Sequence, residues 1–218
     1  MTPGSAIADV AGRHPRPAAL AGVTVTAIVV RGTIGGDERA WPYLLVYVVL
    51  LAVAALTAAG GRLSGRVVWS LSILGAVHVT CGLAVAPGTT DVSLYEHWLV
   101  DGSLKLDQVV HAGGTAVLTV AASQVLVGWF RPGPATHRAR WCTAGLVAVG
   151  LGACNEVFEF AMALRIESLR IGDAANTGWD LAFNLAGAAA VVLCCSLAGP
   201  PVSRVAVSSA STSGRSVG

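Results

Sequence analysis

From Pro42 to Thr57 the chain reads Pro-Tyr-Leu-Leu-Val-Tyr-Val-Val-Leu-Leu-Ala-Val-Ala-Ala-Leu-Thr, without one charged side chain. A stretch of about 20 apolar residues spans the hydrocarbon core as a helix. Lipid offers no partner to the backbone, so a spanning segment must pair its own N–H and C=O groups. The same character recurs at about 17–34, 66–86, 106–130, 141–165 and 179–198, which together with 42–59 predicts six spans. Only 12% of the residues are charged and 54% are hydrophobic, against about 25% charged in an average soluble domain. Mean hydropathy is +0.68. The fold class this predicts is all-α, a polytopic membrane protein with about six transmembrane helices in one bundle.

The first segment is the weakest, because Arg31 interrupts it and Gly32, Gly35 and Gly36 follow. Arg13 and Arg16 precede an apolar core, as in a signal peptide, but no small-residue cleavage site follows, so a retained helix is expected. Arg13, Arg16, Arg62, Arg66, Arg131, Arg138, Arg140, Arg204 and Arg215 fall on one side of a six-span chain; Arg31, Arg39, Lys105, Arg165 and Arg170 fall on the other. Nine against five places both termini in the cytoplasm, giving a multi-pass protein of a bacterial plasma (inner) membrane. Thirteen Arg against one Lys match a GC-rich bacterial genome. The domain reading is a flexible cytoplasmic N-terminus at 1–16, a helical bundle at 17–198, and a flexible cytoplasmic tail at 199–218. The longest loop, Pro87 to Leu104, lies outside, and its Tyr95-Glu96-His97-Trp98 run suits an interfacial turn or short helix.

Three polar phrases interrupt the apolar background: Asp107-Gln-Val-Val-His111, Asn155-Glu-Val-Phe-Glu159, and Asp173-Ala-Ala-Asn176-Thr-Gly-Trp-Asp180-Leu-Ala-Phe-Asn184. Ionisable groups in lipid are expensive, and those that persist face a bundle interior and mark a pathway or site. Asp107 and His111 are four apart, Glu156 and Glu159 three apart, Asp180 and Asn184 four apart, so each pair shares one helix face. At about 1.5 Å per residue, His111 lies roughly 9 Å below Lys105, Glu159 roughly 9 Å below Arg165, and Glu156 one turn deeper. All of these groups meet in the outer half of the membrane, with Asp173 in the preceding loop as a lid or extra ligand.

Carboxylates with one imidazole suit a divalent metal cation and can also relay protons. Two glutamates at i, i+3 in a dry interior require a cation, an Arg or a proton between them. Arg165 and Arg170 are near in sequence, so a purely structural ion network competes with a site. His78 is a lone imidazole in an apolar helix and reads as a hydrogen-bonded core residue; His14 and His137 fall in solvated segments. Cys81, Cys142, Cys154, Cys194 and Cys195 are odd in number without a CxxC pair, and read as small hydrophobes. Trp69, Trp129, Trp141 and Trp179 sit near helix ends, as an aromatic belt requires. GxGxxG and GxxxxGK[ST] are absent, and a net charge of +2 gives no electrostatic case for nucleic acid.

Leu106-Asp107-Gln-Val-Val-His111-Ala-Gly113, then Glu156-Val-Phe-Glu159, then Gly172-Asp173-Ala-Ala-Asn176-Thr177-Gly-Trp-Asp180 through Gly187-Ala188 resemble, in the same order, the motifs of the YjdF-type family of small bacterial inner-membrane proteins. Leu106 replaces that family's Tyr and Asn176 its second Asp. The resemblance covers about residues 100–190 and implies a shared site without naming a reaction. A looser similarity reaches VanZ-like membrane proteins, which implies little about activity.

The functional expectation is an outward-facing polar pocket in a metal-dependent enzyme acting on a lipid or lipid-linked envelope substrate. Glu156, Glu159 and His111 are the catalytic candidates; Asp107, Asp173, Asn176, Asp180 and Asn184 line the pocket; His111, Glu156, Glu159 and Asp180 are the candidate metal ligands. A proton- or cation-coupled transporter or ion-binding module is the alternative, and a non-catalytic scaffold the second alternative. The expected partners are membrane lipid and a small-molecule or lipid-linked substrate, with no nucleic acid.

Overall fold

The structure, a computed structural model, describes residues 2–90, 92–131, 133–166 and 174–198. Its α-helices, in chain order, are α1 (Pro3–Arg13), α2 (Pro15–Thr33), α3 (Ala40–Ala59), α4 (Gly65–Leu83), α5 (Leu106–Leu126), α6 (Pro134–Ala163) and α7 (Ala174–Leu197). Five of them, α3 to α7, are long and apolar enough to cross a membrane. With 19 residues α2 has the same length as α4, but it carries Arg16 and Arg31 near its two ends and is not among the five. Leu45, Val48, Val53, Leu146, Val157 and Phe160 point outward with 47–75% exposure. In water such a surface would aggregate; against acyl chains it is the expected exterior.

Residues 3–13, read from the sequence as part of a flexible end, form α1. The Thr2 hydroxyl caps the helix by accepting from Ser5 N at 3.3 Å, and Pro3 stands in the first turn, where its missing N–H costs nothing. Ala6 and Val10 are one turn apart on the inward stripe: Ala6 is fully buried, and Val10 packs into a cluster with Ala58, Leu63, Val67 and Ala121. Arg13 donates to the Ala58 carbonyl at 3.0 Å, covering the end of α3. The chain beyond 198 lies outside the described residues.

A second cluster joins α2, α3 and α4 through Ile28, Ala40, Tyr47, Val79 and Leu83. The other side of the bundle, where α5, α6 and α7 meet, is built from small residues. Ala144, Gly145, Ala148 and Gly152 form a buried stripe on α6, and Gly187 and Ala188 one on α7. A Cβ on Gly187 would stand 2.0 Å from the Ala112 carbonyl oxygen and 2.6 Å from Thr115 Oγ1. Close backbone approach of this kind holds helices together in lipid, where burial of apolar area provides no drive. The same stripes lead to Glu156 on α6 and to Asn184 and then Asp180 on α7.

The loop between α4 and α5 folds back over the helix ends. It holds a 3-10 turn at Leu94–Glu96 and a short antiparallel pair, β1 (Trp98–Val100) with β2 (Leu104–Lys105), in register Trp98 to Lys105. Gly102 closes that hairpin at φ +68, a conformation other residues adopt at a cost. The Tyr95 hydroxyl reaches α4, 2.5 Å from His78 Nδ1 and 3.2 Å from the His78 carbonyl. Burial pushes that hydroxyl well above its usual range, so it remains protonated and can pin the loop. The His78 ring, read from the sequence as a bonded core residue, has this partner.

Candidate functional site

Helix α5 starts at Leu106, where the Gln108 side chain accepts from Lys105 N at 3.0 Å. That start sets the register of a polar column, Asp107, His111, Thr115, Thr119 and Ser123, each one turn from the next. The lower hydroxyls are satisfied on their own helix: Thr115 donates to His111 O at 2.9 Å, Thr119 to Thr115 O at 2.7 Å, and Ser123 to Val120 O at 2.9 Å. The two upper members turn toward α6 and α7.

His111 is the hub. Its Nε2 lies 3.3 Å from Asp107 Oδ1 and 4.0 Å from Asp180 Oδ1. Its Nδ1 lies 3.3 Å from Asn184 Oδ1 and 3.6 Å from Glu156 Oε1. The two ring nitrogens thus face different partners, two aspartates on one edge and Asn184 with Glu156 on the other. Asn184 reaches this place because Gly152 leaves room: a Cβ there would stand 2.7 Å from Asn184 Nδ2. Asn176, one turn before Asp180, donates to Asp180 Oδ2 at 2.8 Å and lies 3.5 Å from Asp107 Oδ2. It holds the second oxygens of both aspartates and leaves their first oxygens beside His111 Nε2.

Donor atoms of Asp107, His111 and Asp180 all lie within 4.8 Å of one another, the spacing of a metal-ion site. Asp180 and Glu156 are 2% and 7% exposed, yet Asp180 Oδ1 and Glu156 Oε1 have no hydrogen-bond partner. Asn184 Nδ2 is likewise unpartnered. Buried polar atoms are almost always paired, so each orphan calls for a cause. Among the described residues no Arg or Lys pairs with this cluster; Arg165 is exposed. The structural ion network therefore lacks its cation on the described chain, and Arg170 lies outside the described residues.

Asp107, His111, Glu156, Asp180 and Asn184, drawn from three helices, are side by side, with Asn176 bridging the two aspartates. Glu159 is half-buried and held on its own helix, accepting from Asn155 Nδ2 at 2.7 Å. Asp173 lies outside the described residues. Sequence reasoning passed over Gln108, whose cap fixes the start of α5, and gave Asn155 no role. The signal for Gln108 was its position three residues after the sole Lys, where a side chain reaches back to the preceding N–H. It also passed over Gly152, whose missing side chain makes room for Asn184.

A family model described as "Predicted membrane protein (DUF2238)" matches residues 17–199, and the chain belongs to that family. The match agrees with the resemblance to YjdF-type membrane proteins. No curated protein and no solved structure matches the chain.

Proposed function

For this membrane-spanning member of that family, we propose a divalent-cation-dependent enzyme acting on a lipid or lipid-linked substrate of the outer leaflet, with Asp107, His111 and Asp180 as the cation ligands. One observation carries the reading: two aspartate oxygens and an imidazole nitrogen converge while Asp180 Oδ1 is buried without a partner. Two carboxylates and an imidazole supply hard and borderline donors, suited to Mg²⁺, Mn²⁺ or Zn²⁺. Three protein ligands leave coordination positions for water and substrate, as catalytic sites require. A cation there would polarise a phosphoryl or carbonyl oxygen and acidify a bound water.

The remaining residues then take distinct roles. With Nε2 toward the aspartates, His111 presents Nδ1–H to Asn184 Oδ1, which fixes ring orientation, and the Glu156 carboxylate 3.6 Å from Nδ1 raises the ligand's basicity. Glu156 acts here on His111 rather than as a ligand, and Glu159, tied to Asn155, stands ready as an acid–base group one turn higher. Asn176 orients both aspartates. The basic-residue count supports both termini in the cytoplasm and the cluster toward the outer face.

The test is thermal melting of the purified protein in detergent, after chelation, with Mg²⁺, Mn²⁺, Ca²⁺ or Zn²⁺ added. A ligand bound only by the folded state stabilises it by about 2.7 kcal/mol at a hundred times its Kd. Wild type should gain stability with at least one of these ions, and Asp107→Asn and Asp180→Asn should lose that gain. No response to any of the four would refute the reading.

The polar column down α5 favours a second reading, passage of protons or cations. Against it, the hydroxyls of Thr115, Thr119 and Ser123 are already spent on backbone carbonyls. Ion flux in proteoliposomes, sensitive to Thr119→Val, would support this second reading.

A further inference from the structure

Beside the cluster, a cleft of about 430 Å³ opens at the end of the bundle, lined among others by Glu96, Trp98, Lys105, Gln108, Asn176 and Trp179. Asn176 belongs to both places: its amide touches Asp180 and Asp107 below and lines the cleft above. The walls carry one charge of each sign. Lys105 Nζ lies 2.6 Å from Glu96 Oε2 and 5.3 Å from the centroid of the Trp98 ring. Trp179, 58% exposed, stands at the start of α7, the level at which Trp rings meet lipid headgroups.

The geometry points to this cleft as the headgroup subsite of a phospholipid that carries both a phosphate and a primary ammonium. It rests on the reading of the adjoining cluster as the reactive centre and names its substrate class. A lone Lys in a cleft would select any anion. Here Glu96 already neutralises Lys105, so a purely anionic head would have to part that pair and leave the Glu96 carboxylate without a cation. A zwitterionic head exchanges partners instead: its phosphate takes Lys105, its ammonium takes Glu96, and both charges remain paired. The Trp98 face, which already attracts the Lys105 ammonium, is a second surface on which a ligand cation gains. The volume suits a headgroup, since small-molecule pockets start at about 300 Å³. From this seat the phosphate ester lies next to Asn176 and so next to the aspartates it orients. The lipid, rather than a soluble phosphate ester, is the occupant, because the rim is exposed tryptophan on a chain built to sit in lipid.

Binding isotherms of the purified full chain in detergent test this, with short-chain phosphatidylethanolamine, short-chain phosphatidylglycerol and water-soluble glycerophosphoethanolamine as probes. Wild type should prefer phosphatidylethanolamine over phosphatidylglycerol at least tenfold, and over the soluble ester by a similar factor. Lys105→Gln should weaken phosphatidylethanolamine at least tenfold, and Glu96→Gln, which frees Lys105, should turn the preference toward phosphatidylglycerol. Equal affinity for the two lipids, or an unchanged preference in Glu96→Gln, overturns the proposal; a soluble ester bound as tightly as the lipid overturns the lipid as occupant. Cation-dependent melting of the same two variants should match wild type, which also shows that they fold. Lipid selectivity without any cation response in wild type would remove the cluster reading and leave the headgroup site; a cation response without lipid selectivity would do the reverse.

Discussion

Gly187→Ala is the smallest change that should dismantle the site without touching any of its polar groups. Its new Cβ would sit 2.0 Å from the Ala112 carbonyl oxygen. That oxygen is backbone, so no rotamer change relieves the clash. Restoring an ordinary 3.4 Å contact requires α5 and α7 to part by about 1.4 Å at this level. Asp107 and His111 ride on α5, Asp180 and Asn184 on α7. A parting of that size carries the 3.3 Å His111–Asn184 contact beyond hydrogen-bond range and spreads the three ligand atoms past the 4.8 Å that now encloses them. Overpacking costs typically about 1–3 kcal/mol, a fall in Tm of about 2–12 °C for a chain of this size. Melting in detergent with and without divalent cation reads both effects: Gly187→Ala should melt lower and lose its cation response. Gly113→Ala and Gly150→Ala are the controls, because nothing lies within 4 Å of their added Cβ atoms; helix propensity should leave them level with or slightly above wild type. A Gly187→Ala protein with wild-type Tm and wild-type cation response would refute the close α5–α7 contact and the site built upon it.

Asp37, in the turn between α2 and α3, accepts from Arg39 and Arg31, and these bonds lower its pKa from 3.8 to about 2, the Arg39 bond most. A carboxyl depressed on folding contributes stability that is full above its unfolded pKa and lost as pH falls through the folded one. Asp37→Asn should therefore melt a few degrees below wild type at pH 7, with the gap closing from about pH 4 toward pH 2. Thr119→Val removes a buried hydroxyl that only bonds back to Thr115 O; it should shift stability by about 1 kcal/mol or less and leave the cation response intact, and loss of that response would implicate the column below the site. Reporter fusions after Thr90 and after Gly199 should report outside and inside respectively, and the same side for both would overturn the arrangement of spans.

Length and apolarity made the helices legible, because a spanning helix in lipid must be long, apolar and self-bonded whatever its neighbours do. Boundaries followed where chain chemistry marks them, as at Gly60-Gly61 after α3. They slipped where it does not: α6 begins at Pro134, seven residues before the apolar run at 141, since a helix continues into the interface once Pro134 starts it. The N-terminal helix α1 was missed because its apolar stripe is short and its main partner, the end of α3 around Ala58, is remote in sequence. Helical spacing showed that Asp107 with His111, and Asp180 with Asn184, share faces. It could not tell which edge of the His111 ring meets which carboxylate, nor that Asn155 would hold Glu159 on its own helix. That division depends on Gly152 and Gly187 bringing three backbones close, and a glycine's effect on its neighbours is visible only once the neighbours are known. Glu96 and Trp98 were read together in an interfacial turn and Lys105 only as a charge on the outer side; their meeting around a cleft that Asn176 also lines comes from the β1–β2 hairpin.

Direct binding tests most plainly whether a cation is held between α5 and α7. The protein, purified in detergent and stripped by chelation, is titrated with Mn²⁺, with bound ion read by electron paramagnetic resonance and confirmed by elemental analysis. Wild type should take up one ion per chain, and Asp180→Asn, which alters one of the three ligands and keeps the side chain's size, should take up none. An ion bound equally by both proteins, or by neither, would contradict the site.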